Sequence, residues 1–599
     1  MTSSSAAQGV RWNLTDLYRS PDDPQVEIDL STALQKASEF EKKYRPLLEK
    51  PDVLNFPAAA MMSDYQAVLN LSARLGSYAF LSFSEKTDSS AAGAFLQKIQ
   101  TRLTAVQNHL VFLDVLWTKL SGDEAEKILL LPEAEPYRHY LKNLRVYAPH
   151  TLSEPEEKIL AEKANTSARA FARLFDETVH GLTFAFEGQN KTESEVLALL
   201  HSPDRETRRK ASESLAEGLQ KSTRTLNFIF NRILEDHRLE MKLRSFAHPM
   251  TARNLANETN LDQITGLIRA VKKNYPLAQR YYRLKQRLLG LEELFDYDRY
   301  APLEKPAGVI SFTECREIVT EGYRGFSAEA GKIAGLFFEK NWIDAELRPG
   351  KRGGGFCSQT SPEVHPYILV NYTGSLRDVM TVAHEIGHGI HQVLAGRRVG
   401  ILECAAPLTL AETASVFGEM LIFEKLLSRE EDPRKRLVLL AGKIDDNFAT
   451  VFRQIAMTDF ELRAHEAGLL SGELSEETLS GLWMEANAEL YGSSVKLTQA
   501  YRHGWKYIPH FIHSPFYCYA YAFAQLFVFS LFSQYKEKPD GFAERFFEIL
   551  SLGGSKKPEA IARIAGLDLN QDGFWDAGLS RLENLISEAE ELARQTGQL

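Results

Sequence analysis

The segment TVAHEIGHGIH, residues 381–391, carries two histidines four positions apart, and a glutamate directly follows the first of them. On an α-helix, side chains at positions i and i+4 lie on one face, one turn apart. His384 and His388 would therefore project side by side, at the spacing that one cation requires from two imidazole ligands. Glu385 is rotated by about 100° from His384, so its carboxylate can reach a water bound to the cation without being a ligand.

The residues on either side of this segment predict one helix. Ser375 is a candidate N-cap, and Asp378 three residues later completes a capping-box pattern. Gly396 would end the helix, because glycine readily adopts the left-handed conformation that follows many helices. An apolar stripe runs between these ends and consists of Leu376, Val379, Met380, Ala383, Ile386, Ile390 and Leu394. The histidines thus belong to a helix that has one face in the core.

The H-E-x-x-H pattern has two interpretations. It is typical of a zinc site in which His384 and His388 are ligands and Glu385 is the general base. However, His391 lies on the same face one turn further on, and a helix rich in histidine can simply be half-buried. A third ligand distinguishes the two, since a zinc site of this kind needs three protein ligands.

Known zinc patterns narrow the choice of third ligand. The metzincin pattern requires a histidine where this chain has Leu394. The aminopeptidase pattern requires Gly-x-Met-Glu-Asn upstream, whereas Met484-Glu485-Ala486-Asn487 lies downstream and lacks the glycine. A glutamate on a following helix remains, and Glu412 within APLTLAETASVFGEMLIFEKLL, residues 406–427, supplies it.

Glu412 also fits a purely structural role. Thr409 and Glu412 form a Thr-x-x-Glu capping box that would close the start of a helix. A carboxylate among apolar neighbours is costly to bury without a positive partner, and this favours the ligand role. Glu419 lies two turns further along the same face and repeats the pattern, so we expect it to accept a hydrogen bond from a histidine Nδ1–H.

The composition is that of a large globular protein without a nucleic-acid signature. The chain has 599 residues, 44% of them apolar and 25% charged, so two or more lobes are expected. The net charge of -10 comes with no basic block, which argues against nucleic acid as a partner. The sequence contains no GxxxxGK[ST] or strand-linked GxGxxG nucleotide motif.

Cysteine content and targeting patterns favour the cytoplasm. Four well-separated cysteines indicate a reducing compartment rather than a disulfide framework. The N-terminal MTSSSAAQGVRWNLTDLY lacks the charged and apolar regions of a secretory signal. The longest apolar runs, such as YAFAQLFVFSLF at 521–532, are too short to span a membrane. We therefore expect a cytoplasmic protein with no membrane partner.

The pattern along the chain is mostly helical from about residue 24 onward. Residues 177–193 alternate apolar and polar side chains around a Gly-Gln-Asn turn and predict a hairpin. Residues 349–373 combine a glycine-rich loop with the β-rich run PYILVNY, which we expect to pack beside the histidine helix. A helical N-terminal lobe and a helical middle would then precede an active-site segment at about 340–530.

These motifs resemble those of a known family. HEIGHGIH followed by AETASVFGE is similar to the M3 metallopeptidases, whose pattern is HExGHxxH, then ExxS and a further glutamate. WNLTDLY, RPGKRGGGFC, HPYILVNYTGS and the late ELYGSSVKLTQAYRHGWKYIPHFIHSPFYCYAYAFAQL resemble the oligoendopeptidase F branch. The resemblance covers nearly the whole chain.

The resemblance implies a mainly α, two-lobed, zincin-like fold with a deep central channel and a small β-sheet beside the active-site helix. Residues 1–195 would form the N-terminal helical lobe and residues 196–599 the M3-type catalytic region. The implied activity is that of a zinc-dependent endopeptidase with one zinc ion per chain, which hydrolyses short unstructured peptides and excludes folded proteins. The resemblance does not distinguish a monomer from a homo-oligomer.

Carried onto this sequence, the resemblance assigns His384, His388 and Glu412 as zinc ligands and Glu385 as the catalytic glutamate. His391 matches a family position that is not a ligand.

The family also uses a late loop to bind substrate and stabilise the tetrahedral intermediate. The matching region offers His510, His513, Tyr517, Tyr519 and Tyr521. Tyr517 and Tyr521 would share a helix face, so we favour Tyr521 and His510 as catalytic residues, and Tyr517, Tyr519 and His513 as substrate-binding residues. The aromatic spacing of FYCYAYAFAQLF is also typical of core packing, which is the favoured interpretation of Tyr519.

Two elements near the histidine helix are further candidates for contact with substrate. Residues 367–371 would form an edge strand that pairs with an extended peptide. Gly354 and the glycines beside it would let a loop approach the substrate, or would form a flexible connection.

Two other functions remain open. One is a carboxypeptidase or dipeptidyl carboxypeptidase of the same family, which would require a free substrate C-terminus. The other, from a different class, is a catalytically inactive helical binding scaffold.

Overall fold

The computed structural model describes residues 6–304 and 308–598. The chain forms two compact units, each assembled from three stretches of sequence. Unit 1 comprises Met1–Glu157, Ala307–Lys425 and Gln534–Leu567, and unit 2 comprises Lys158–Pro306, Leu426–Ser533 and Asp568–Leu599. The functional division at residue 195 stays a prediction.

The described chain is mostly helical, as predicted. The first α-helices are α1 (Pro24–Glu49), α2 (Ala58–Glu85), α3 (Ser90–Lys119), α4 (Gly122–Leu129), α5 (Arg138–Val146), α6 (Glu154–Lys163), α7 (Ala168–His180), α8 (Glu193–Leu199), α9 (Arg205–Lys221), α10 (Thr223–Leu243), α11 (Thr251–Ala256), α12 (Leu261–Lys273) and α13 (Tyr275–Leu288). They continue with α14 (Phe312–Phe326), α15 (Ala328–Glu339), α16 (Leu376–Glu403), α17 (Leu408–Ala411), α18 (Thr413–Arg429), α19 (Pro433–Thr450), α20 (Phe452–Ser471), α21 (Glu476–Tyr491), α22 (His510–His513), α23 (Tyr519–Glu537), α24 (Phe542–Ser551), α25 (Pro558–Ile564) and α26 (Phe574–Gln595). Short 3₁₀ helices span Leu14–Asp16, Pro132–Tyr137, Ala148–His150, Ala164–Thr166, Asp296–Asp298 and Gln499–Tyr507.

Each unit has its own apolar core. In unit 1, α1, α2 and α3 pack together around large buried side chains such as Tyr44, Phe112 and Trp117. In unit 2, a core cluster includes Phe175, Phe230, Phe460, Trp483 and Trp505. These aromatic side chains bury large apolar areas, so each unit has the burial that a stable domain requires.

The predicted hairpin is present in unit 2. Strand β1 (Phe184–Phe186) pairs antiparallel with β2 (Gln189–Lys191), and Phe184 lies opposite Lys191. The turn consists of Glu187 and Gly188, both with positive φ, as tight hairpin turns require. The predicted Gly-Gln-Asn turn is wrong in position, because Gln189 and Asn190 already pair within β2. Helix α7 occupies the start of the predicted segment, up to His180.

A three-stranded sheet in unit 1 lies beside α16, as predicted. Strands β3 (Ile343–Asp344), β4 (Phe356–Ser358) and β5 (Tyr367–Leu369) are arranged in the order β3-β5-β4. β5 pairs with β3 in parallel and with β4 in antiparallel orientation, and all three of its residues are buried. The prediction of an edge strand at 367–371 is therefore wrong, because both sides of β5 are already paired. An apolar run is typical of such a buried central strand.

Helix α16 begins where the sequence predicts and ends later. The Ser375 hydroxyl accepts a hydrogen bond from the backbone N–H of Asp378, and the Asp378 carboxylate accepts from the N–H of Ser375. The predicted end at Gly396 is wrong, since the helix continues past it to a kink at Gly400, and a short last turn then ends at Glu403. The left-handed conformation occurs instead at Gly400, where φ is 68°.

The cysteines Cys315, Cys357, Cys404 and Cys518 form no disulfide. Among the described residues, no helix combines the length and the apolar character that a membrane span would need.

Candidate metal centre

Three side chains of unit 1 converge on one point. The Nε2 atoms of His384 and His388 are 3.1 Å apart. Glu412 Oε2 lies 3.2 Å from His384 Nε2 and 3.3 Å from His388 Nε2. The structure thus brings together the three residues predicted as ligands. In the described part of the chain, this is the group of His, Cys, Asp and Glu side chains whose donor atoms lie close enough to share one metal ion.

Glu412 reaches this point from the junction between two helices. α17 ends at Ala411 and α18 begins at Thr413, so Glu412 lies between them. The N-cap of α17 is Pro407 and not Thr409, so the capping-box alternative is wrong. The Ser415 hydroxyl donates a hydrogen bond to Glu412 Oε2 at 2.8 Å and holds the carboxylate in place.

Gly387, inside the H-E-x-x-H motif, allows α16 and α18 to approach closely. A Cβ at this position would lie 2.5 Å from the Ala414 carbonyl oxygen and 2.5 Å from the Ser415 Cα, distances too short for any larger residue. The glycine therefore brings the start of α18, and with it Glu412, against the two histidines.

Glu419 orients the first histidine, as predicted. Its Oε1 lies 2.6 Å from His384 Nδ1. An ionised carboxylate only accepts hydrogen bonds, so this contact places the imidazole proton on Nδ1. Nε2 of His384 then carries the lone pair and faces His388 and Glu412. A histidine that binds a metal through Nε2 needs this tautomer.

Burial and charge at this centre affect its two nearby carboxylates in opposite ways. Burial raises the pKa of Glu412. The nearby imidazoles of His388 and His384 lower it by more than burial raises it, so the pKa lies well below its usual range. Glu385 is only 7% exposed, and this burial raises the pKa of its carboxyl group. A raised pKa makes a carboxylate a stronger acceptor of a proton, as a general base requires.

His391 is buried against the segment that carries Glu412. Its ring hydrogen-bonds to the backbone of Ala411, and burial lowers its pKa to about 4, with the charge of His388 adding to the effect. The imidazole is therefore neutral at physiological pH, and it supports the polypeptide around the three-residue group.

The glycine-rich loop borders Glu385. Gly354 has a φ of 77°, in the left-handed region that suits glycine. The Asn371 side chain donates hydrogen bonds to the carbonyls of Arg352 at 3.0 Å and Gly354 at 2.9 Å. A Cβ at Gly355 would lie 3.4 Å from Glu385 Oε1. The loop is therefore anchored at its tip and lies against the predicted base.

Unit 2 contains the late loop, in which three of the predicted residues form a cluster. His510 Nε2 lies 3.3 Å from the Tyr521 hydroxyl. The ring of Tyr517 lies 5.4 Å from that of His510 and 5.1 Å from that of Tyr521, measured between centroids. Burial lowers the pKa of His510, and the charge of Arg453 contributes. A neutral imidazole that carries its proton on Nε2 can donate to the Tyr521 oxygen, so His510 can orient this hydroxyl and leave its hydrogen available to another acceptor.

The other two late-loop candidates point elsewhere. Tyr519 is 0% exposed, and its hydroxyl donates to Asn254 Oδ1 at 2.8 Å and accepts from Asn257 Nδ2 at 2.9 Å. This burial supports the core-packing interpretation of Tyr519 and argues against contact with substrate. His513 lies on the surface of unit 2 with its Nε2 2.8 Å from Asp176 Oδ1.

Glu461 supports the late loop and was missed in the sequence analysis. Its Oε1 accepts a hydrogen bond of 2.9 Å from the backbone N–H of Phe516, a residue with a positive φ of 59°. Burial raises the pKa of Glu461 to about 8. The sequence of α20 carries several other charged residues, such as Asp459, Arg463 and Glu466, so no polarity anomaly singled out Glu461.

Comparison with known proteins identifies the family. The profile described as peptidase family M3 matches residues 198–581, and that described as oligopeptidase F matches residues 117–184. The oligoendopeptidase F homolog of Lactococcus lactis subsp. lactis (strain IL1403) is 27% identical over 598 residues, covering 98% of this chain and 97% of that protein. The oligopeptidase PepF of Bacillus subtilis (strain 168) is 24% identical over 595 residues, covering 98% and 88% respectively.

Solved structures of other proteins share the fold of this chain. A Chlamydophila abortus protein assigned as a peptidase matches with a TM-score of 0.81 and 25% identity, covering 97% of this chain and 98% of that one. Oligoendopeptidase-F from Enterococcus faecium matches with a TM-score of 0.71 and 23% identity, covering 95% and 98%. These matches confirm the predicted resemblance and fold class. The profile of peptidase family M3 matches more than half of this chain, so the chain belongs to that family and is a metallopeptidase.

Proposed function

We propose that the protein is a zinc-dependent endopeptidase that hydrolyses short, unstructured oligopeptides. Its relatives in Lactococcus lactis and Bacillus subtilis carry the names oligoendopeptidase F and oligopeptidase. The proposal extends their substrate class to this chain and assigns one zinc ion to the centre formed by His384, His388 and Glu412.

The geometry of the three donor atoms carries this proposal. They are separated by 3.1, 3.2 and 3.3 Å. A tetrahedral ion with bonds of about 2.0–2.1 Å separates its ligand atoms by about 3.3–3.4 Å, and two imidazoles with one carboxylate are a usual donor set for zinc with an open position. The residues therefore fit Zn²⁺ in both chemistry and spacing. When bound, zinc supplies a Lewis acid and lowers the pKa of a coordinated water.

Glu385 acts as the general base. Its carboxylate takes a proton from the attacking water and passes it to the amine that leaves. The raised pKa that burial gives this carboxyl makes it a stronger acceptor in the first of these transfers. His384 keeps its Nε2 lone pair available because Glu419 holds the Nδ1 proton.

In unit 2, Tyr521 donates its hydroxyl hydrogen to the substrate carbonyl oxygen as negative charge develops there. His510 orients that hydroxyl from 3.3 Å. Tyr517 contacts the bound peptide through its ring. His513 stays a proposed substrate-binding residue, although its Nε2 contacts Asp176 in this structure.

An edge strand can bind the peptide backbone. Within the described sheet, β4 pairs with β5 on one side only. We propose that an extended peptide pairs with the free side of β4, which follows Gly354. In the sequence analysis this role was predicted for residues 367–371, which contain β5. Backbone hydrogen bonds of this kind give affinity with little preference for side chains.

Localisation is a further part of the proposal. The free cysteines suit a reducing compartment, and we propose the cytoplasm.

Metal analysis combined with mapping of cleavage sites tests the function. The purified protein is expected to contain one zinc ion per chain, to cut peptides internally, and to lose activity on chelation and regain it with added zinc. Active protein that is free of metal and indifferent to chelators would contradict the proposal. A quenched peptide with an amidated C-terminus separates the alternatives, since a carboxypeptidase would leave it intact.

A further inference from the structure

A half-buried arginine of unit 2 has no acidic partner among the described residues. Arg453 lies in the first turn of α20, and its Nη1 donates a hydrogen bond of 2.9 Å to the Tyr300 hydroxyl. Its Nε is buried and has no hydrogen-bond partner. In the described chain, Arg453 forms no ion pair with a carboxylate within 4.0 Å. A charge that is partly removed from water and has no counter-ion is less favourable than a paired one, and a buried donor without an acceptor adds to that cost.

Acidic residues of the same unit are already paired with other cations. Asp298 binds Arg205 and Arg208, each at 2.8 Å. Asp445 binds Lys285 at 2.6 Å. Asp298 is shared by two arginines and Asp445 is paired with a lysine, so neither carboxylate has negative charge left to compensate Arg453.

A second guanidinium increases the positive charge around Tyr300. Arg299 is 6% exposed, and its guanidinium carbon lies 5.2 Å from the ring centroid of Tyr300 and 4.8 Å from that of Tyr501. Its Nε donates to the backbone carbonyl of Asp296 at 2.8 Å. Burial raises the pKa of Tyr300, but the charges of Arg453 and Arg299 outweigh it and lower the pKa. The neighbourhood of Tyr300 therefore favours negative charge.

The positive region reaches the surface of unit 2 beside the late loop. Arg453, Tyr300, Tyr507 and His510 are all half-buried, so each retains some contact with solvent. The charge of Arg453 acts on both Tyr507 and His510. His510 in turn lies beside Tyr521, the residue proposed to contact the substrate.

We propose that Arg453, together with the Tyr300 hydroxyl, binds a carboxylate of the peptide substrate. The guanidinium presents several donors in a planar fork that matches a carboxylate, and a tyrosine hydroxyl can donate to the same group. The carboxylate is either the C-terminus of the peptide or an Asp or Glu side chain. This inference rests on the proposed peptidase function and adds to it a preference for substrates that carry negative charge.

Matched peptides test the inference. Quenched peptides of one sequence are prepared with a free C-terminal acid or an amide, and a second pair carries Glu or Gln near the C-terminus. The quantity measured is the ratio of kcat/KM within each pair. Wild type is expected to favour one carboxylate-bearing member by about ten- to hundred-fold, as a charge-assisted hydrogen bond would provide. Preference in the acid-amide pair identifies the C-terminus, and preference in the Glu-Gln pair identifies a side chain.

Substitutions at the site link the preference to Arg453. In Arg453→Met the ratio should fall to about one, while hydrolysis of the neutral peptide continues. Arg453→Lys, which keeps a point charge without the fork, and Tyr300→Phe should each retain part of the preference. The matched control is Arg269→Met, because Arg269 is exposed on α12 and carries the same charge. It should leave the ratio at the wild-type value.

A structural role for Arg453 would lower the activity toward both members of a pair equally and would leave the ratio unchanged. That result, or a wild-type enzyme without any carboxylate preference, would overturn the inference. If Arg453→Met fails to fold, the ratios of Arg453→Lys and Tyr300→Phe decide in the same way. Failure of the proposed function would look different, because no peptide of the series would then be cleaved.

Discussion

The metal centre of unit 1 and the late loop of unit 2 place histidine in opposite electrostatic surroundings. His384 lies between two carboxylates, with Glu419 2.6 Å from Nδ1 and Glu412 3.2 Å from Nε2. His510 lies near the cation Arg453 and the hydroxyl of Tyr521. The first arrangement favours positive charge at its centre, and the second favours negative charge. A metal ion and a developing oxyanion are the charges that these two surroundings would stabilise.

The largest expected effect concerns the base in unit 1. Glu385→Gln keeps the size of the side chain but cannot take a proton. We expect kcat to fall by about 10²- to 10⁴-fold, with zinc content unchanged. Activity assays and elemental analysis of the same preparation measure both quantities.

Glu317→Gln is the matched control, because Glu317 is exposed on α14 of the same unit. It should keep wild-type turnover. Substantial activity in Glu385→Gln would remove the base assignment, and loss of zinc would show that Glu385 supports the metal instead.

The next effect concerns the hydroxyl in unit 2. Tyr521→Phe removes a donor for the oxyanion, and we expect kcat to fall by about 10²-fold with zinc content unchanged. Tyr519→Phe removes a hydroxyl that is bonded to Asn254 and Asn257 in the core. It should lower the free energy of unfolding by about 1–3 kcal/mol and leave kcat nearly intact. A large loss of kcat in Tyr519→Phe and an intact kcat in Tyr521→Phe would contradict the catalytic role of Tyr521 and the core role of Tyr519.

A smaller effect is expected at Glu419. Replacing this carboxylate in Glu419→Gln removes the charged acceptor of the His384 Nδ1 proton. We expect affinity for zinc to fall by about 10- to 100-fold, as measured by competition with a chelator. Full zinc occupancy at wild-type affinity would mean that the contact at 2.6 Å does not help to hold the metal.

The last effect is one on stability and not on catalysis or metal binding, and it concerns the free energy of unfolding as a function of pH. Burial raises the pKa of Glu461 from 4.5 to about 8. Between these values the unfolded chain releases a proton that the folded chain retains, so stability falls as pH rises. Glu461→Gln cannot ionise, and at pH 7 it should be more stable than wild type by roughly 3 kcal/mol.

Denaturant unfolding at pH 5 and pH 8 measures this difference. Glu466→Gln, at an exposed position of the same helix, should keep the wild-type pH dependence. Equal pH dependence in wild type and Glu461→Gln would show that Glu461 is ionised in the folded protein.

Helix periodicity explains why the centre in unit 1 was predictable. His384 and His388 are one turn apart on one helix, so their relative position follows from a spacing of four residues. Glu412 and Glu419 were recognised because acids in apolar surroundings need a positive partner. The late loop has no such period, since α22 contains only four residues. Spacing therefore did not decide the direction of His513, the last residue of that helix, whereas the aromatic spacing around Tyr519 did favour the buried position that the structure shows.

The sequence alone determined the start of the histidine helix, the donor set of the metal centre and the family. Each of these depends on residues that are close along the chain or on an anomaly in polarity. Only the tertiary structure decided that β5 is a central strand, that Gly387 lies against α18, and that the Nε of Arg453 finds no hydrogen-bond partner among the described residues. These features depend on contacts between segments far apart in sequence, and neither residue type nor periodicity specifies which segments will meet.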